Sequence, residues 1–225
     1  MTIARPATFL PCFAVISPLF ASVSPVLAAP APTSVPTLSF DVTARVGALS
    51  QGAGPQQTVE AKVLLRGNAA RVESRSGGAP SVVLFSPPYI YRLLPRSKAG
   101  VRWKVDPRKP SQFADLDPQQ LLRDPAKIKL ALLRGGAKMV GKSMLSGVPV
   151  EIYQAKNFGA RGQNAKVWLR RTDSLPLRLE ASGGQFKIVA SWRNYTRPRL
   201  SSSLFVSPAG YKVRTLASSP PYSSF

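Results

Sequence analysis

The sequence predicts a mainly β protein, a strongly curved antiparallel sheet or half-open β-barrel of about eleven strands with a short helical lid. Apolar and polar residues alternate with period two along most of the chain, as in strands with one buried face. Short polar and glycine turns separate the alternating runs, and such turns join antiparallel strands. Between Asp117 and Gly136 the alternation stops and the residues favour helix.

The stretch from Asn164 to Tyr195 has the clearest pattern. It contains three alternating runs, which begin at Ala165, Leu175 and Phe186, with polar and glycine residues between them. One set of positions is apolar, and the other is polar and largely basic. We therefore predict a three-stranded meander with one face that must be covered and one that faces water.

The remaining strands follow from the same alternation. Turn signals such as Arg66-Gly67-Asn68 and Ser146-Gly147 separate them. All are expected to be antiparallel because their connections are short. The predicted runs are 40–46, 59–65, 70–72, 82–85, 89–94, 101–105, 138–144 and 148–154, followed by a last segment within 200–213.

The helical region begins with a favourable start signal. Asp117 is placed to cap a helix whose first position is Pro118. Pro125 interrupts the pattern, and Gly135-Gly136 ends it. We predict one or two short helices that lie over the sheet, with their leucines facing it.

The N-terminus resembles an export signal. Residues 1–5 carry one positive charge, an apolar stretch starts near Phe9, and Val26-Leu27-Ala28 suits a cleavage site. Prolines within the apolar stretch favour a cleaved signal over an uncleaved membrane anchor. The expected organisation is a signal peptide at 1–28, a Pro/Ala linker at 29–36, a β domain at 37–214 and a disordered tail at 215–225. The protein is expected to be exported to the periplasm or another extracytoplasmic space.

Composition argues against an enzyme and against a metal or cofactor site. The chain has no histidine, and its single cysteine, Cys12, falls within the predicted signal peptide. Histidine-based triads, thiolate chemistry and zinc ribbons are therefore excluded. The carboxylates Asp115, Asp117 and Asp124 near the predicted helix are explained by capping and solvation. We expect no catalysis, no cofactor and no metal.

One motif match is rejected. Residues 136–143 (GAKMVGKS) fit the P-loop pattern at every position. A P-loop needs a strand before the glycines and a helix after them, whose amides bind phosphate. Here a predicted helix precedes the glycines and a strand pattern follows, so nucleotide binding is not expected.

The chain is strongly basic. It has 31 Lys and Arg against 10 Asp and Glu, a formal net charge of +21. Loss of Arg5 with the signal peptide would leave +20, from 30 against 10. A polyanion-binding function and an ordinary basic surface explain this charge equally well, because the cations recur on nearly every strand. Trp168, between Lys166 and Arg170, either takes part in binding or packs under arginine stems.

Three segments resemble a known family. Lys166–Glu180 (KVWLRRTDSLPLRLE), Val140–Tyr153 (VGKSMLSGVPVEIY) and Leu204–Val213 (LFVSPAGYKV) are similar to strand segments of the LolA/LolB-like superfamily. This superfamily comprises periplasmic lipoprotein carriers and the lipid-sensing domain of the RseB/MucB regulators. The resemblance spans roughly Leu38 to Val213 and implies a half-open β-barrel, lidded by helices, that binds acyl chains in its concave face without catalysis.

The sequence departs from the family pattern in two places. Carriers normally begin with an amphipathic helix, whereas here the linker leads directly into a strand. The turn Thr172-Asp173-Ser174 also lacks the glycine that usually follows the threonine. Without the first helix there is no position for the carriers' functional arginine, so no such residue is assigned.

The resulting hypothesis is a lipid- or lipoprotein-binding carrier, with an envelope sensor of the same fold and a polyanion-binding protein as alternatives. The expected partner is an acyl chain of a lipid or lipoprotein, with transient contact to membrane or envelope proteins. We expect a monomer and no nucleic acid partner. A filled core would have the same sequence pattern as a binding cavity. The predicted ligand-contacting residues are Val63, Trp103, Leu121, Leu122, Leu130, Leu133, Val167, Leu169, Leu177, Leu179, Ile188 and Trp192.

Overall fold

The computed structural model describes residues 35–48, 57–76, 79–104, 126–158, 163–183 and 186–217. In these residues twelve strands form one sheet. The strands are β1 (Thr37–Ala48), β2 (Gln57–Arg66), β3 (Ala69–Ser76), β4 (Ala79–Ser86), β5 (Tyr89–Leu94), β6 (Ala99–Lys104), β7 (Lys138–Leu145), β8 (Val148–Phe158), β9 (Gln163–Arg170), β10 (Pro176–Gly183), β11 (Phe186–Thr196) and β12 (Lys212–Leu216).

The sheet is strongly curved and does not close. The strand order is β12-β6-β5-β4-β3-β2-β1-β11-β10-β9-β8-β7, so β12 and β7 are its two edges. The chain makes two meanders, β1 to β6 and β7 to β11, which the pairing of β1 with β11 joins at the centre. The predicted fold class, a mainly β protein with a half-open curved sheet, is confirmed.

One face of the sheet, here called the inner face, carries the main core. On β1 the side chains of Phe40, Val42 and Ala44 are buried in this core, and the residues between them are polar. Helix α1 (Ala126–Arg134) contributes Leu132 to the same core, as predicted for a helix lying over the sheet. The period-two alternation therefore corresponds to burial on this face.

The outer face carries a second, smaller core that the sequence did not predict. Val82, Leu84 and Leu93 are buried there beneath the C-terminal segment, which includes a 3₁₀ helix (Ser202–Phe205). Phe205 is buried, and Tyr211 and Val213 pack against the cluster.

Two predictions about this C-terminal segment are wrong. The region 200–213 is a 3₁₀ helix followed by a short strand that begins only at Lys212. This strand, β12, pairs with β6 in parallel, so the sheet is not entirely antiparallel. The chain crosses from β11 to the far edge of the sheet, and such a long connection, unlike a hairpin, permits parallel pairing.

The turn between β9 and β10 works without the expected glycine. Asp173 occupies the position after the threonine without a left-handed φ, and the next residue, Ser174, adopts a left-handed φ of 59°. The Asp173 carboxylate holds the turn: it accepts two hydrogen bonds from the Arg170 guanidinium, at 2.8 and 2.5 Å, and one from the Leu175 backbone N–H. The ion pair therefore stabilises a conformation that the residue type alone disfavours.

Several predictions lie outside the described residues: the signal peptide, most of the linker, the Asp117 cap and the end of the tail. The P-loop match at residues 136–143, in contrast, lies within the described residues. Gly136 follows helix α1 with a left-handed φ of 81°, and Lys142 and Ser143 lie in strand β7. Where the chain is described, no helix is long and apolar enough to cross a membrane.

Candidate functional site

The inner face has a row of small side chains across three adjacent strands. Ala155 on β8 lies opposite Ala165 on β9, which lies opposite Ala181 on β10. The row continues to Ile188 on β11 and Val46 on β1. Directly opposed residues project from the same face of a sheet, so these five side chains form one continuous apolar strip.

The neighbouring row is much bulkier on the same strands. Tyr153, Val167 and Leu179 lie opposite one another and are buried in the main core. The alanine row is therefore a line of short side chains beside a bulky row, and we call Ala155, Ala165 and Ala181 the alanine floor. All three are buried in the main core, at 5%, 2% and 3% exposure. Side chains this short fill less of the space above the backbone than the neighbouring row does.

The alanine floor ends at apolar side chains that stay partly accessible. Ile188 and Val46 are half-buried and pack against the margin of the main core. Trp192 does so too, but it lies opposite Val42, and the bulky row separates it from the alanine floor. On the other half of the sheet Ile90 and Trp103 lie opposite each other and are also half-buried. These margins are apolar surface of the inner face that a ligand could still reach.

The predicted contact residues fall into four groups. Val63, Val167, Leu169 and Leu179 are fully buried in the main core, whereas Ile188, Trp192 and Trp103 lie half-buried at its margins. Leu177 is half-buried next to the register shift at Pro176. On α1, Leu130 and Leu133 are exposed while Leu132 faces the core. Leu121 and Leu122 lie outside the described residues.

Sequence reasoning missed the alanine floor and two of its neighbours, Val46 and Tyr153. Their apolar phase was visible in the alternation. Whether these residues are neighbours depends on how the strands pair, and the local sequence pattern does not indicate the pairing. Only a prediction of register could have brought these alanines together.

Helix α1 is attached to the sheet by a polar contact as well as by Leu132. The Lys129 ammonium donates a hydrogen bond to Glu151 Oε2 at 2.6 Å, and the Tyr153 hydroxyl donates to the same oxygen at 2.8 Å. The Lys129 Nζ also lies 5.8 Å from the centre of the Tyr153 ring. These three groups, here called the helix latch, set the position of α1 over the inner face.

The helix latch shifts the titration of its own members. The hydrogen bond from Lys129, followed by that from Tyr153, lowers the pKa of Glu151 from its ordinary value of 4.5. The hydrogen bond to Glu151 raises the pKa of Lys129. Burial, with the hydrogen bond to Glu151, raises the pKa of the Tyr153 hydroxyl.

We expect Glu151→Gln to lower the free energy of unfolding at pH 7 by about 1 kcal/mol, because it removes a partly exposed charge pair. A carboxylate whose pKa is lowered by folding stabilises the protein above its unfolded pKa, and this contribution is lost as pH falls through the folded value. The difference between the two proteins should therefore shrink below about pH 4.5. Urea unfolding between pH 3 and 7 measures this, with the exposed Glu60→Gln as control. A difference that stayed constant over this range would contradict the helix latch.

The outer face is charged, and its charges alternate in sign. Arg193, Asp41, Lys62 and Glu73 lie opposite one another on successive strands and border a groove of about 550 Å³. Alternating signs across strands compensate one another, so this groove does not favour a polyanion.

Trp168 lies beneath an arginine. The Arg178 guanidinium lies 5.6 Å from the centre of the Trp168 ring and forms an ion pair with Glu180. This contact accounts for a half-buried tryptophan on the outer face as packing under an arginine, one of the two interpretations of the sequence.

Comparison with known proteins gives likenesses of fold. No protein-family model matches the chain. No curated protein sequence matches it either. Among solved structures, an uncharacterized conserved protein from Thermus thermophilus is similar at a TM-score of 0.52 and 12% identity, over 79% of this chain and 90% of that chain. At this identity the likeness shows a shared fold.

Two further solved structures have names from the superfamily that the sequence resembles. A LolA superfamily protein from Nitrosomonas europaea is similar at a TM-score of 0.36 and 12% identity, over 78% of this chain and 91% of that chain. MucB, in its Pseudomonas aeruginosa complex with MucA, is similar at a TM-score of 0.43 and 16% identity, over 80% of this chain and 59% of that chain. Both are likenesses of fold only.

Proposed function

We propose that this protein is an extracytoplasmic, non-catalytic carrier that binds an acyl chain of a lipid or lipoprotein on the inner face of its open sheet. The observation that carries the proposal is the alanine floor, which runs beside a bulky row to the half-buried Ile188 and Val46. A linear hydrocarbon chain matches a long apolar strip of short side chains whose Ile188 and Val46 end is half-buried. To bind there it would displace the groups that bury the three alanines.

The physical chemistry of the strip suits an acyl chain. Each methylene transferred from water to an apolar surface contributes about 0.8 kcal/mol, so a few methylenes over the alanine floor suffice for micromolar affinity. Helix α1 covers the inner face through one buried leucine and the helix latch. A short helix attached in part through polar contacts can move without unfolding the sheet.

No group of three or more His, Cys, Asp and Glu side chains that could hold a metal ion occurs among the described residues. The perturbed groups of the helix latch are hydrogen-bonded to one another, which is a structural arrangement. The export-signal pattern at residues 1–28 supports the extracytoplasmic location.

The test places a large side chain on the alanine floor. Ala181→Phe places an aromatic ring in the middle of the alanine floor, and we expect it to weaken uptake of a fluorescent fatty acid by at least about tenfold. Ala181 is as deeply buried as Ala190, at 3% and 1% exposure, so the protein should remain folded only if the groups over the alanine floor move aside as they would for a ligand. Fluorescence titration and native mass spectrometry of the purified protein measure binding, and circular dichroism measures the fold.

Two matched variants make the result decisive. Val189→Phe adds similar bulk on the opposite face of β11 and should leave uptake within about twofold of the unchanged protein. Ala190→Phe places the ring in the bulky row beside Leu179 and should destabilise the fold by about 1–3 kcal/mol through overpacking. If the unchanged protein takes up no fatty acid and Ala181→Phe destabilises it as much as Ala190→Phe does, the inner face is an ordinary core and the proposal fails.

A further inference from the structure

Exposed apolar side chains are concentrated in one short segment at the β7 edge of the sheet. Leu130, Leu133, Met139, Val140 and Met144 are each between 43% and 60% exposed. They lie within a helix–turn–strand unit, and we call these five residues the edge patch. Large apolar side chains exposed together mark an interaction surface more often than singly exposed ones do.

The methionines of the edge patch project from the side of the sheet on which α1 lies. Met139 lies opposite Tyr153, and Met144 lies opposite Pro149 on β8. Tyr153 projects into the main core, so both methionines project from the inner face, where α1 lies. The turn at Gly136, closed by hydrogen bonds from Gly136 N–H and Ala137 N–H to helix carbonyls, joins α1 directly to β7.

Cations surround the edge patch, and acids are missing from its segment of sequence. Residues 126–150 contain five Lys and Arg and no Asp or Glu, and the next residue, Glu151, is bound by Lys129 and lies opposite Lys142. Arg134, Lys138 and Lys142 are exposed beside the apolar residues. A surface that combines exposed leucine and methionine with lysine and arginine is complementary to a bilayer with anionic headgroups.

We propose that the edge patch docks the protein on the surface of an anionic lipid bilayer. Leucine and methionine side chains enter the boundary between headgroups and acyl chains, and Arg134, Lys138 and Lys142 bind the phosphate groups around them. This docking is independent of acyl-chain binding on the inner face. It would bring the open side of the sheet against the membrane.

The main alternative to a bilayer at this edge is a strand of another chain that pairs with β7. Strand β7 is poorly suited to such pairing. Among the described residues β7 pairs on one side only, with β8. Its register shifts between Met139 and Gly141, which leaves Val140 without an opposed residue. A bulge and lysines on an edge strand are devices that discourage strand pairing. The apolar side chains of the edge patch remain exposed although the bulge and the lysines discourage strand pairing. We therefore favour a bilayer as the occupant.

The test is flotation with lipid vesicles in the absence of added fatty acid. The full chain without its signal peptide should float with vesicles of phosphatidylcholine and phosphatidylglycerol at about 7:3, and bind phosphatidylcholine alone at least about tenfold more weakly. Met139→Ser with Met144→Ser should weaken binding at least about fivefold. Lys138→Glu with Lys142→Glu should weaken it at least about tenfold.

The controls match these changes elsewhere on the surface. Leu94→Ser with Val206→Ser removes exposed apolar residues from other segments, and Lys187→Glu with Lys212→Glu makes the same change in net charge. Each control pair should bind within about twofold of the unchanged protein. Equal loss in the two charge variants would overturn the proposal in favour of a general charge effect. A solution dimer that the methionine variant dissociates, formed by a protein that ignores vesicles, would assign the edge patch to a second copy and also overturn it.

Discussion

Replacing Tyr153 with alanine is expected to lower the free energy of unfolding by about 3–5 kcal/mol, the range for large aromatic truncations in a packed core. Tyr153 is 1% exposed and lies opposite Val167 in the bulky row of the inner face. Its ring packs in the main core while its hydroxyl donates to Glu151. The change therefore removes a large part of the core under α1 and one member of the helix latch together.

The measurement is urea unfolding followed by circular dichroism, with Tyr153→Phe as the matched variant. Phenylalanine keeps the ring and loses only the hydrogen bond, so we expect a loss of about 1 kcal/mol. For a domain of this size 1 kcal/mol corresponds to about 2–4 °C in melting temperature, which separates the two variants clearly. Similar losses in the two variants, or a loss below about 1 kcal/mol in Tyr153→Ala, would show that the ring is not a central packing element.

The strands could be predicted because their signal is local. Burial on one face produces the alternation at Phe40, Val42 and Ala44 wherever the strand is paired. The pairing itself is not local. Ala165 and Ala181 become neighbours only when β9 and β10 adopt their register, so the sequence predicted an apolar face without showing that its alanines form one row.

Two differences between the predicted and the observed contact residues have local causes. Alternation placed Leu175, Leu177 and Leu179 on one face, but the register shift at Pro176 changes the phase, so Leu175 and Pro176 are both buried and Leu177 is not. On α1 the sequence did not reveal which leucine faces the sheet, because leucines occur on several sides of so short a helix. The structure selects Leu132.

The path of the C-terminal segment has a different cause. Its residues show weak alternation, and their position is determined by tertiary contacts on the outer face. The Arg71 guanidinium donates to the Leu204 carbonyl at 3.0 Å, and Thr37 Oγ1 donates to the Pro198 carbonyl at 2.6 Å. Contacts between residues so far apart in sequence leave no periodic signal, which is why the parallel strand β12 was not predicted.

Phe205→Ala is expected to destabilise the protein by about 3–5 kcal/mol and to release the C-terminal segment from the outer face. Phe205 is buried in the 3₁₀ helix that lies over β3 and β4. Loss of this side chain removes the main buried contact of the 3₁₀ helix, and β12 should then detach from β6 more readily than the central strands separate. Hydrogen exchange measures this as early loss of protection in β12 while β1 and β11 remain protected.

Val206→Ala is the natural control for this prediction, because Val206 is the next residue and is exposed. It should change the free energy of unfolding by less than about 0.5 kcal/mol. If Phe205→Ala and Val206→Ala behaved alike, the C-terminal segment would not be anchored by a buried aromatic side chain. If instead protection were lost equally in β12 and in the β1–β11 centre, the second core would be part of one cooperative unit with the main core. The expected outcome, selective release, would mean that the outer face holds its own small folding unit and that the inner face, with its alanine floor, can stay intact without it.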